Sequence, residues 1–501
     1  MLIETAAAKS QGIVEDSVPD TTETLWIVAL AAGLMVQLWF GMIGTSLWRD
    51  ETGTWWAVAD GAAAAIRRSF YWGGTSPFYF LTVCASTRLL GPSQISLRLP
   101  SLFAMAGAIY FLYKIALRLY DRASAAVVVL VFLCIASFYA IEARPYALAM
   151  LGLTASTWAL LRWLDTGRFI HAAIYVVMGA WVVYAHYLLA LGLVPGAIFA
   201  AVCLRRESRG LAWLGCFFAS LGLLCLPLAR HLQSLSATRS AHTVAAAPSV
   251  PQIVEGLMPG ALAGVLILGV WVYSVWRGEA GLTGKCTAPS ALLIGTWSVF
   301  APVFLVLLPL FGDFHLFVDR YYSSALPGQA LLLGGLISSI RPGFARKALL
   351  VLLVVGTILV QGKFSVRSHG GEDWRAAMAF VNHQAETGAP VLFQSGFVEA
   401  SDFAALRDPK LRDVLFAPQL VYGGPAQSIR LPHASVRTST PDMERIFRQV
   451  EHAPRFFLLQ ADYDRSFEMW LLGKLGPACA SELAETFGEV YLTRFTCENP
   501  G

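Results

Sequence analysis

Eleven stretches of this chain run apolar for close to 20 residues at a time, and that length decides what the chain can fold into. A bilayer's hydrocarbon core, about 30 Å thick, is crossed by roughly 20 helical residues rising 1.5 Å each. The runs fall at about 25 to 47, 98 to 119, 123 to 141, 145 to 164, 169 to 185, 187 to 204, 211 to 229, 259 to 276, 289 to 311, 322 to 340 and 347 to 362. The chain is 56 % hydrophobic and 14 % charged, where a soluble domain carries about 25 % charged residues. It reads as an α-helical polytopic membrane protein. Its net charge of +4 is too small and too scattered for nucleic-acid binding, which wants basic residues clustered on one face.

Basic residues near span ends set the orientation. Alternate loops carry Lys114, Arg118 and Arg122; Arg162 and Arg168; Arg205, Arg206 and Arg209; Arg277 and Lys285; Arg341, Arg346 and Lys347. Those loops are expected in the cytoplasm. An odd span count then places residues 363–501 outside, together with the first loop at 48–97. Residues 1–24 lack the basic start and short apolar core of a secretory signal and are expected to be a disordered cytoplasmic tail that is not cleaved. Two interrupted amphipathic segments in the first loop, ETGTWWAVADGAAAAIRRSF and SPFYFLTVCASTRLLG, are expected to lie as helices at the membrane interface. From 363 onward, helix-like EDWRAAMAFVNHQAETG precedes strand-like PVLFQSG, and DMERIFRQVEHAP precedes RFFLLQAD. That alternation predicts a small α/β domain, and no G-x-G-x-x-G or P-loop accompanies it.

Acidic residues are sparse where it matters. Of 33 Asp and Glu, five lie in residues 1–24 and 17 in 363–501, so each acid of the membrane region stands out. Asp50, Glu51, Glu142, Arg144, His186, Asp313, His315, Asp319 and Arg320 all fall at or near outer span ends, from four different junctions. Ionisable groups at such depth are costly unless they face a wet cavity or pair with one another, so their convergence suggests one polar cavity opening outward. A carboxylate there can take a proton from a hydroxyl or amine nucleophile. A guanidinium there can grip phosphate oxygens in pairs. None of the eight cysteines has metal-site spacing, and Cys479 and Cys497, the only two in the C-terminal domain, are candidates for a disulfide in an oxidising compartment.

With these residues in view, the chain resembles the GT-C membrane glycosyltransferases. The similarity rests on RDET after the first span, SPFYFLTVCASTRLLGPSQISLRLPSLFAMAGAIYFLYKIALRLYDR, FYAIEARPYALAM, YAHYLLAL and DRYYSSALPG, in that order over residues 25 to 340. It is nearest to the protein-mannosyltransferase-like bacterial group that includes the aminoarabinose transferases of lipid A. The resemblance implies a polyprenyl-phosphate sugar donor used at the outer face of a bacterial inner membrane, with a cell-envelope acceptor. It implies that Asp50, with Glu51 beside it, is the catalytic carboxylate, and that Arg144, Arg320 and Tyr321 bind the donor phosphate. Glu142, His186 and Asp319 are further cavity candidates, although each arginine could instead pair with its acidic neighbour, Glu142 or Asp319. No cofactor is required and a divalent metal is optional. The chain lacks the extended first-loop signature of the aminoarabinose transferases themselves, which leaves the acceptor open.

Two rival readings belong to other classes: a transporter or flippase of lipid-linked saccharides, and a non-catalytic envelope-assembly protein. Transport sites usually lie near the membrane midplane within inverted repeats, and here the spans are nearly free of ionisable groups between their ends. The charge pattern makes one direct prediction. A reporter fused after Gly362 should be reached by a membrane-impermeant label from outside; cytoplasmic labelling there would overturn the orientation and the outward cavity together.

Overall fold

The computed structural model describes residues 21–498 apart from 72–74, 206–209, 238–246, 279–286, 313–314, 341–342, 362–370, 386–387, 398–402, 410–412, 426–427 and 433–439. Each apolar run predicted from the sequence overlaps a helix, although residues 41–47 of the first run lie outside one. Seven of the described helices are long and apolar enough to cross a membrane: Thr22–Phe40, Gln94–Leu119, Arg122–Ile141, Tyr146–Thr166, Ala212–Ser236, Ala288–Phe311 and Gly343–Val360. Phe169–Ala185, Leu188–Leu204 and Ala263–Trp276 are apolar but shorter. The run at 322–340 forms the helix Leu326–Ser338. Local causes shorten some elements: the chain at Leu188–Leu193 winds as a 3₁₀ helix just before Pro195, leaving Val194–Leu204 as the α-helical part.

Tyr146–Thr166 occupies the middle of the bundle, packed on Gln94–Leu119 and Phe169–Ala185. Leu326–Ser338 lies on Arg122–Ala136, and Ala288–Leu307 lies on Leu326–Ser338 and on Val194–Leu204. Small residues permit the close crossings. A side chain at Gly334 would strike the Val128 backbone, and one at Gly328 the Trp297 backbone. The first span departs from expectation. Its α-helix ends at Met35, a π-helical turn covers Val36–Phe40, and the chain then runs irregularly to Trp48.

The first loop forms three helices, Arg49–Val58, Ala62–Ser69 and Pro77–Leu90, with the first break at Gly61, whose φ of +90° a side chain would resist. The C-terminal domain is a five-stranded sheet of β1 (Val391–Gln394), β2 (Ser428–Arg430), β3 (Arg455–Gln460), β4 (Cys479–Phe487) and β5 (Val490–Cys497), ordered β2-β1-β3-β5-β4. The β1–β2 and β1–β3 pairs are parallel, whereas β5 runs antiparallel to both β3 and β4. Helix Trp374–Ala385 covers one face, where Trp374 and Met378 pack on Phe393 and Phe457. Pro441–Val450 and Arg465–Leu475 cover the other, around Phe456 and Phe495. Cys479 and Cys497 are paired residues of β4 and β5 and are joined by a disulfide.

This domain does not hang from a tether. Phe397, Val414, Leu415 and Ala417 belong to the same apolar core as the bundle, and helix Ala417–Tyr422 packs on Arg49–Val58. The Tyr422 hydroxyl accepts from the Leu47 amide at 2.7 Å, and the Arg375 guanidinium donates to the Gly44 carbonyl at 3.0 Å. The domain therefore sits on the short segment that leads from the first span into the first loop.

Candidate active site

Arg98 organises that segment. It stands near the start of helix Gln94–Leu119 and its side chain is fully buried. Its Nη1 donates to the carbonyls of Ile43 and Thr45 at 3.0 and 3.1 Å, and its Nη2 to that of Ser46 at 3.0 Å. These are backbone groups that the early end of the first helix leaves without helical partners. The same guanidinium grips Glu51 with both edges, Nε to Oε1 at 2.8 Å and Nη2 to Oε2 at 2.5 Å. Glu51 in turn accepts from the Trp48 amide at 3.3 Å and the Ala143 amide at 2.7 Å. Thr54 completes the link by donating to the Ala143 carbonyl at 3.0 Å. Helix Arg49–Val58 is thereby fastened to the turn holding Glu142 and Arg144.

This separates two neighbours in sequence. Glu51, expected beside Asp50 as a catalytic carboxylate, is wholly buried with both oxygens taken up, so its geometry is that of a structural ion pair. Asp50 lies one residue back, about 100° around the helix, and so presents a different face. Its Oδ2 is 3.1 Å from Arg320 Nη1 and 3.5 Å from Arg144 Nη2. Arg320 comes from the short helix Asp319–Tyr322 and Arg144 from the turn before Tyr146, so three distant segments meet at one carboxylate.

The other predicted residues divide. His186 ends helix Phe169–Ala185; its ring lies 5.6 Å from that of Tyr146 and 5.7 Å from that of Tyr321. Arg320 rests over the Tyr321 ring at 5.5 Å. Glu142 is buried within the same group. Asp319, by contrast, is exposed, and its carboxylate accepts the Arg320 amide at 2.7 Å. Asp313 lies outside the described residues, and His315 is half-buried. Among the described residues no three of His, Cys, Asp and Glu are grouped as metal ligands would be.

The cluster is rich in buried polar atoms that have no protein partner. They include Glu142 Oε2, Arg144 Nε and Nη1, Arg320 Nε and His186 Nδ1. Buried polar groups in proteins are almost always paired, so this concentration marks a place shaped for something polar. The charge states differ sharply. Burial alone would raise the Asp50 carboxyl, but Arg144, Arg320 and Arg49 together outweigh it and hold the group below its ordinary value. Burial drives Glu142 well above the carboxylate range despite the pull of Arg144, leaving it a protonated donor. Burial, reinforced by the charges of Arg144 and Arg320, pushes His186 down to about 3, so it is neutral at physiological pH. An anion entering here would find two guanidiniums with N–H groups to spare. An acid and a base stand ready with their affinities for protons pushed apart.

Sequence reasoning passed over Arg98, Arg49 and Glu372. Of these, Arg98 stands in the sequence as the one charge at the start of the apolar run 98–119, and Arg49 as the first residue of RDET. The division of labour has a stability consequence. Glu51→Gln strips the counter-charge from a buried arginine and should cost about 3–5 kcal/mol, whereas Asp50→Asn should cost clearly less. Thermal unfolding of the two purified variants in detergent checks this, and equal melting temperatures would refute the assignment of Glu51 to structure.

No protein-family model matches this chain, and no curated protein matches it. A solved structure does share its fold. The crystal structure of ArnT from Cupriavidus metallidurans in the apo state aligns over 95 % of this chain and 98 % of its own, with a TM-score of 0.51 at 13 % identity. The structure of ArnT from Cupriavidus metallidurans bound to undecaprenyl phosphate aligns over 94 % and 98 %, with a TM-score of 0.48 at 11 % identity. The helical bundle with a C-terminal sheet domain expected from the sequence resemblance is thus a fold that this chain shares with ArnT.

Proposed function

We propose that the protein is a glycosyltransferase that moves a sugar from a polyprenyl-phosphate donor to a nucleophile of the cell envelope, at the outer face of the inner membrane. The observation that carries this reading is Asp50 held between Arg144 and Arg320 in a cluster of unpartnered buried donors. The GT-C fold supports it. Phosphate is the anion that suits two converging guanidiniums, and a carboxylate between them is the base a hydroxyl or amine acceptor needs.

The proposed reaction is a direct displacement. The acceptor's O–H or N–H proton passes to Asp50, its electron pair forms the new bond to the anomeric carbon, and the bond from that carbon to the phosphate oxygen breaks. Polyprenyl phosphate leaves with that electron pair, its charge held by Arg320 and Arg144. The resting geometry adds an order to these events. While both guanidiniums sit on Asp50 the carboxylate is a poor proton acceptor. When the donor phosphate draws them onto its own oxygens, Asp50 regains basicity, so donor binding readies the base. Neutral His186 and protonated Glu142 add hydrogen bonding without adding charge.

A flippase would also need a phosphate-binding cavity, but the cluster lies at one end of the bundle. Arg98, at the cluster end of its helix, is 20 residues from Arg118, which pairs with Asp165, a separation of about 30 Å at 1.5 Å per residue. A scaffold needs no base at all. The substitution Asp50→Asn keeps shape while removing proton acceptance, so turnover should fall by about 10²-fold or more, with binding of undecaprenyl phosphate retained. Arg320, the more exposed of the two arginines, should matter more for that binding. Arg320→Ala should weaken it by about tenfold or more and Arg144→Ala by less. Mass spectrometry of envelope glycans, with and without each variant, reads the product. Near-normal turnover in Asp50→Asn would end the proposal that this carboxylate is the base.

A further inference from the structure

We propose that Glu372 of the C-terminal domain is a positioning residue for transfer at Asp50: it clamps Arg49, the residue next to the base, and so fixes the start of the helix that presents it. This rests on the reading of Asp50 given above. The Glu372 carboxylate reaches Arg49 twice, with Oε1 on the side-chain Nε at 2.8 Å and Oε2 on the backbone amide at 2.8 Å. That amide belongs to the first turn of helix Arg49–Val58, where N–H groups have no acceptor within the helix and negative charge is favoured. Trp48, at the cap position, offers no side-chain acceptor. The cap is supplied instead from 323 residues further along the chain.

The clamp is built rigidly. Glu372 is bridged to Gly488 in the β4–β5 turn, and the Asp373 amide donates to the Phe487 carbonyl at 3.0 Å. The Trp374 indole N–H donates to Glu372 Oε2 at 2.6 Å. Arg49 Nη1 goes on to the Gly396 carbonyl at 2.8 Å and to Asp462 at 2.9 Å. Gly396 has a φ of +76°, a backbone conformation that a side chain resists, and a Cβ there would crowd the Arg49 guanidinium. The charged groups acting on the pair are thus Asp50 on the helix and Asp462 after β3, with Glu489 packed beside the neighbouring Gly371. Burial pushes Glu372 up to about 7 against the pull of Arg49 and its two N–H donors.

The sign of the pH effect follows. A carboxyl whose folded value is raised contributes stability below its unfolded value, near 4.5, and loses it as pH rises through 7. Charging Glu372 therefore adds no stability, yet it tightens the hold on Arg49. Activity and stability respond in opposite directions, which separates positioning from simple support of the fold.

The test uses the full chain and Glu372→Gln, with Glu372→Asp as the conservative variant. Turnover is read as envelope glycan product in membranes supplied with their endogenous donor, from pH 5.5 to 8.5. Hydrogen exchange of the Arg49–Thr52 amides, corrected for intrinsic rates, is read on the purified protein. The wild type should gain turnover and amide protection across an inflection near pH 7. Glu372→Gln should lose the inflection in both, with turnover about tenfold lower at pH 8 and close to wild type at pH 6, while Glu372→Asp restores part of it. A Gln variant that keeps the wild-type pH profile and exchange overturns the clamp, and leaves the Asp50 reading standing. A wild type that makes no glycosyl product yet shows the Glu372-dependent protection overturns the transferase reading, and leaves the clamp standing.

Discussion

The ion pair between Glu51 and Arg98 is buried completely, and the geometry of the site depends on it. Taking two charges out of water is expensive, and apolar replacements of equal volume often do as well for stability alone. What the pair supplies is placement. Arg98 gathers the carbonyls left bare where the first span ends, and Glu51 reaches both that guanidinium and the amide of Ala143. One interaction thus ties the end of the first span, the start of the loop helix and the turn before Tyr146 into a single unit. Asp50 and Arg144 face each other because they belong to the two parts so joined.

Three carboxyl groups in this small volume carry three different assignments, each set by its surroundings. Glu51 is neutralised by a bidentate arginine and fully enclosed. Asp50 is partly open and held ionised by guanidiniums. Glu142, enclosed with an oxygen that meets no protein donor, keeps its proton. The chemistry proposed for Asp50 requires this separation, since three ionised carboxylates together would repel one another and the donor phosphate alike.

The C-terminal domain enters the same logic from outside the bundle. Its apolar contacts through Phe397, Val414 and Leu415 hold it to the membrane region, while its polar contacts fall on Gly44, Leu47 and Arg49, the residues leading to Asp50. A domain attached only for recruitment would have no need to contact that segment. Here its fold supplies the cap for the helix that presents the proposed base.

The amino-acid pattern dictated the helical bundle, because spanning a bilayer demands long apolar runs that can be counted. It determined the sheet domain, because alternation changes where the hydrophobic runs stop. It also brought Asp50, Arg144, His186 and Arg320 to one level, since charges at membrane depth are few enough to place individually. Tertiary structure alone decided what each does. Asp50 and Glu51 look interchangeable as RDET, and only the rotation of the helix relative to Arg98 turns one inward and the other to the arginines. Arg98 and Glu372 find their partners 47 and 323 residues away, beyond the reach of any local pattern. Side-chain pairing across such distances is fixed by packing, which exists only once the chain has folded.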